Sequence, residues 1–205
     1  MTLNYVRYAP CLILSAAIFS AAPVWASEPS TPVTAVVLPQ GQYSKIALRE
    51  MGREANHILK RSGVSLRWHI GVPERAVNGL LVVVKLVGRC DMDGSPAFLV
   101  PGPLGWAAEE DGTILPFSDL ACDNLRGAVE SAIVGGNPLR SNLLLGRAMG
   151  RVLAHELFHI VTDTPGHGRG DVTQASLTPR ELTSGPFELR PSEATAFQTG
   201  LARPH

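Results

Sequence analysis

Gly150-Arg151-Val152-Leu153-Ala154-His155-Glu156-Leu157-Phe158-His159-Ile160-Val161-Thr162-Asp163, followed by Thr164-Pro165-Gly166-His167, is the stretch that decides the architecture of this chain. Positions i and i+4 of a helix lie one turn apart on one face, so the imidazoles of His155 and His159 can reach one metal ion. Glu156 projects about 100° further round the helix, beside a metal-held water and outside the ligand set. Zinc acidifies such a water and polarises a substrate carbonyl, and a neighbouring carboxylate accepts the proton. Ala148 and Val152 share the histidine face. Gly146, Gly150, Leu153 and Leu157 occupy the opposite face, so the back of the helix packs on a core and the imidazoles open on a cleft.

A catalytic zinc takes three protein ligands and leaves the fourth position to water. Pro165 disfavours the helical region for Thr164, so the helix stops near Asp163. Gly166 is free to adopt a left-handed conformation, and His167 then reaches the metal from a turn. Three of the chain's six histidines fall between positions 155 and 167. The expected site is therefore one Zn2+ per chain on His155, His159 and His167, with Glu156 as general base. Glu181 or Glu188 replaces His167 if the chain folds back as a second helix, and Asp163 and Asp171 are further alternatives. His57, His69 and His205 read as structural or solvated.

Working towards the N-terminus, residues 34–38 form a β-branched run of strand length, and 42–61 carry an approximate apolar stripe at helical spacing. Residues 64–70 alternate as a half-buried strand, and 79–86 form a nearly continuous apolar run suited to a strand covered on both faces. Residues 104–108 and 113–117 flank Asp111-Gly112 and predict a hairpin. Pro116 lacks an amide donor, which makes its strand an edge or ends it soon afterwards. A short helix over about 119–133 is broken by Gly135-Gly136-Asn137-Pro138. The long helix then starts between Pro138 and Ser141. Beyond it the chain is rich in loops, with a final short helix opening at Pro191-Ser192-Glu193 and Ser192 as its cap.

The ends and the composition set further bounds. Arg7 is the only charged side chain before Glu28; the apolar run 11–19 and Val24-Trp25-Ala26 follow it. These are the parts of a secretory signal peptide, too short to span a bilayer, with cleavage expected after Ala26. Residues 27–32 are a flexible lead-in, and 33–205 are expected to form one domain. The mature chain keeps two cysteines, Cys90 and Cys122, which export to a secreted or periplasmic location should leave as a disulfide. Apolar residues make up 45% of the 205, charged residues 18%, and the formal net charge is zero. That balance excludes disorder, and the absence of a basic cluster excludes a nucleic-acid or polybasic membrane surface. No stable membrane anchor remains after signal cleavage, and the expected state is a monomer.

With its His-Glu-x-x-His, glycine turn and third His, the chain resembles the metzincin family of zinc endopeptidases. It is also similar to small secreted bacterial proteins with His-Glu-Leu-x-His, seven residues, then His. Residues 104–106, 114–117 and 151–157 carry that likeness, which covers roughly residues 80–180. The resemblance implies an α+β metzincin-like (zincin) domain. Its twisted, mostly parallel sheet has an antiparallel edge strand and packs on two long helices, the second bearing the motif. It further implies a peptide or protein substrate that lies along the edge strand at Gly105, Trp106 and Ala107. A non-catalytic zinc module of the same fold, or a zinc amidase or deacylase, is the alternative. Two features depart from the family: seven residues rather than five separate His159 from His167, and no methionine follows His167. Nor does a tyrosine follow it, so zinc itself would carry most of the charge that develops on the substrate.

Overall fold

The computed structural model describes residues 32–94, 101–133 and 137–203. The expected signal peptide, residues 27–31 of the expected lead-in, and His205 lie outside them. The strands are β1 (Val33–Pro39), β2 (Leu66–Ile70), β3 (Leu80–Val87), β4 (Gly105–Glu110) and β5 (Thr113–Ala121). They form one sheet in the order β2-β1-β3-β5-β4, in which the pairs β2/β1, β1/β3 and β3/β5 are parallel and β5/β4 is antiparallel. The fold is thus α+β with a mostly parallel sheet. Among the described residues no helix is long and apolar enough to cross a membrane.

Two helices dominate the covered face of the sheet. α1 (Lys45–Leu59) begins where the Ser44 side chain accepts the Ala47 amide, and a single 3-10 turn (Lys60–Ser62) ends at Gly63 in the left-handed region. α2 (Cys122–Glu130) follows β5 directly. α3 (Pro138–Thr162) has Asn137 as N-cap and Pro138 at its first position, and includes His155, Glu156 and His159. α1 and α3 approach closely because α3 presents two glycines one turn apart. A Cβ on Gly146 would lie 2.4 Å from the Ala47 carbonyl oxygen, and one on Gly150 2.7 Å from that of Met51. α4 (Pro179–Thr183) and α5 (Pro191–Leu201) complete the chain, with Phe197 fully buried.

Several sequence expectations change here. Pro116 lies within β5, which runs on to Ala121 in the sheet interior, and β4 is the edge. The register shifts between Ala107 and Glu109, so Ile114 and Ser118 pair with β4 while Pro116 falls in the irregularity. Pairing of β5 with β3 starts at Phe117. The proline therefore sits where no ladder amide is needed. Asp119 to Ala121 belong to this strand, which delays α2 to Cys122. β3 alternates buried Leu80, Val82, Val84 and Leu86 with partly exposed residues, Leu81 at 40%, so its second face is not fully covered. α5 is capped by Arg190, not Ser192, because Pro191 takes its first position. α4 went unread, although Thr178-Pro179-Arg180-Glu181 spells a capping box.

Two covalent or charged ties brace the frame. Cys90 and Cys122 are joined in a disulfide whose Cα atoms are 5.0 Å apart and 32 residues apart in sequence. Closing a loop of that length stabilises by about 3–4 kcal/mol in the chain-entropy account. Arg151 of α3, 3% exposed, donates to Glu54 of α1 at 2.9 Å and to the carbonyls of Glu181, Ser184 and Gly185 at 2.5–2.9 Å. Its guanidinium also lies 4.9 Å from the centre of the Phe187 ring. Arg151→Met should cost about 3 kcal/mol in chemical denaturation, because it leaves the buried Glu54 carboxylate with only the more distant Arg53, 3.7 Å away. Adding Glu54→Gln should recover part of that loss, and strict additivity of the two would contradict the pairing.

Candidate metal centre

α3 ends at Asp163, which adopts the left-handed conformation with φ 49°. Its carboxylate accepts the Ile114 amide of β5 at 2.9 Å, so the helix end and the β4–β5 hairpin are fastened together. Gly166 does not supply the reversal, since the positive φ falls at Asp163. The chain then passes Pro165 and brings His167 back over the last turns of the helix. The ligand atoms of His155, His159 and His167 all lie within 4.8 Å of one another. His159 is buried, His155 half-buried and His167 exposed.

The ring orientations are set by backbone carbonyls. Nδ1 of His155 is 2.6 Å from the Val172 oxygen, and Nδ1 of His159 is 2.5 Å from the Thr164 oxygen. A carbonyl only accepts, so each Nδ1 carries the proton and each Nε2 presents a lone pair. The two Nε2 atoms are 3.0 Å apart. Burial lowers the His155 pKa to about 4, outweighing the opposing carbonyl bond, and lowers that of His159 too. Two neutral rings thus point lone pairs at each other, which is unfavourable until a cation lies between them. Tetrahedral zinc with bonds of about 2.0–2.1 Å separates its donors by about 3.4 Å. Three imidazole donors within 4.8 Å of one another suit that ion in kind and number.

Glu156 is 4% exposed beside this cluster. Burial raises its carboxyl to about 7, against a hydrogen bond from the Ala107 amide that acts to lower it. A cleft of about 640 Å³ opens over the histidines, lined among others by Leu104, Ile114, Val152, Gln174 and Leu177. Gly105, Trp106 and Ala107 line it as well. Gly105 faces α3, where a Cβ would lie 2.7 Å from Val152. Trp106 pairs with Asp119, and alternation sends its indole to the other sheet face, 42% exposed.

The alternative ligands lie elsewhere. Glu181 accepts from the Thr178 amide and hydroxyl in the α4 capping box, Glu188 pairs with Arg61, and Asp163 holds Ile114. Among the described residues, the three histidines are the group whose donors converge. Neither Val172 nor Thr164 stood out in the sequence, since any residue can supply a carbonyl. His57 and His69 are exposed.

In structural comparison the chain is similar to archaemetzincin from Methanopyrus kandleri, with a TM-score of 0.52 over 87% of this chain and 99% of that one. Sequence identity is 15%, so the likeness is one of fold. Compared by sequence, the chain matches no protein-family model and no curated protein.

Zinc titration of the mature chain should give a stoichiometry near one, with His155→Ala or His159→Ala abolishing tight binding. His167→Ala should weaken it by at least about 100-fold, since a catalytic site then retains only two of its three protein ligands. Unchanged affinity in His167→Ala would remove that residue from the site.

Proposed function

We propose that this chain is an exported zinc metallopeptidase, in which residues 33–205 act as one domain on a peptide or protein substrate. The observation that carries the reading is the convergence of three imidazoles, two turned by backbone carbonyls, beside a buried carboxylate in an open cleft. Bound zinc would acidify a water and polarise a peptide carbonyl. His155, His159 and His167 would hold the ion. Glu156 would take a proton from the attacking water and pass it to the leaving amine, acting first as general base and then as general acid. The Ala107 amide of the edge strand faces the Glu156 carboxylate and favours its ionised form.

A catalytic reading is favoured over a structural one by the ligand count. No fourth Cys, His, Asp or Glu joins the cluster among the described residues, whereas closed zinc sites use four protein ligands. The apolar cleft walls suit an extended chain with apolar side chains. Export is supported by the signal-like N-terminus and by the disulfide.

The deciding variant is Glu156→Gln, which keeps shape and loses the proton-accepting oxygen. Cleavage of a peptide library should fall by about 10²–10⁴-fold, with zinc content and melting temperature nearly unchanged. Full activity with zinc bound would exclude Glu156 as the base. A wild-type protein that binds zinc and cleaves no peptide would turn the assignment to the non-proteolytic alternatives.

A further inference from the structure

We propose that Glu193, acting through Thr173, is a positioning residue that aims two of the three histidines at the metal; this rests on the zinc-site reading above. Glu193 lies in the first turn of α5, and one of its oxygens, Oε2, caps that helix by accepting the Arg190 amide at 2.8 Å. Capping uses only that oxygen. The other, Oε1, turns away from the helix and accepts the Thr173 hydroxyl at 2.6 Å, linking residues 20 apart in sequence.

Thr173, 5% exposed, is held at every polar atom. Its hydroxyl also accepts the Gly170 amide at 3.2 Å, its own amide donates to the Gly170 oxygen at 3.1 Å, and its carbonyl accepts the Gly168 amide at 2.8 Å. The Thr173 amide shares a rigid peptide plane with the Val172 carbonyl, which is the group that turns His155. The Gly168 amide shares its plane with the carbonyl of His167. Locking Thr173 therefore fixes the oxygen that orients His155 and the backbone that carries His167. Gly170 makes the contact possible, because a Cβ there would lie 1.9 Å from Oε1 of Glu193. Arg190 adds a second tie by donating to the Arg169 oxygen. Val172 is fully buried and anchors the loop from below.

The test is zinc affinity of the full mature chain, measured by competition with a chromophoric chelator. Glu193→Ala and Thr173→Val should each weaken binding by about 10- to 100-fold, the usual worth of a group that orients a ligand. Thr173→Ser, which keeps the hydroxyl, should restore near wild-type affinity. Thr199→Gly loosens α5 without touching the loop, so it should lower the melting temperature and leave affinity unchanged. In metal-free protein, nitrogen NMR should show His155 protonated at Nδ1 in the wild type and as a mixture of tautomers in Thr173→Val. Wild-type affinity in both Glu193→Ala and Thr173→Val would overturn the proposal, as would an equal loss in Thr199→Gly. If Glu193→Ala does not fold, the Thr173 pair decides. A wild type that binds no zinc would sink the metal-site reading, and the tautomer comparison would still judge the clamp.

Discussion

Two backbone carbonyls, those of Val172 and Thr164, govern the centre of this protein. By accepting the Nδ1 protons of His155 and His159, they turn two Nε2 lone pairs towards one point, 3.0 Å apart. That arrangement is costly without a cation, so the fold must hold it in place before any ion arrives. Much of the architecture can be understood as that restraint. The left-handed turn at Asp163 ends the helix within reach of Thr164, and the loop at 168–173 delivers Val172 from the other direction.

The long helix that presents the histidines is itself held on three sides. Gly146 and Gly150 allow α1 to lie against its backbone, and Asp163 fastens its end to the β4–β5 hairpin. Arg151, one turn before His155, binds Glu54 on one side and the carbonyls of residues 181–185 on the other. A buried guanidinium with several acceptors is a strict geometric link, since each lost partner leaves an unsatisfied charge or dipole. It couples the histidine-bearing helix to the segment 181–185. The edge strand meets this helix where the Ala107 amide faces Glu156.

What could be read beforehand follows from how local each signal is. The i, i+4 histidines, Pro138 at the helix start and Pro165 after its end are local marks, and α3 lies where they place it. The alternation in β2 and the Asp111-Gly112 turn are equally local. Pro116 misled because its tolerance depends on a register shift in the partner strand, which no single strand displays. The left-handed turn fell on Asp163 instead of Gly166 because an aspartate tolerates that conformation and its carboxylate has the Ile114 amide to accept. Carbonyl partners such as Val172 were beyond reach, since the peptide group carries no sequence mark. Glu193 likewise meets Thr173 only through the tertiary fold.

X-ray absorption at the zinc edge tests the central claim most directly, because it counts and identifies the ligands without assuming activity. The mature protein should show three imidazole nitrogens and one further light atom at about 2.0–2.1 Å, with no sulfur. Substituting His167 should remove one imidazole from that shell. A spectrum with sulfur, or with only two imidazoles in the intact protein, would contradict the three-histidine centre.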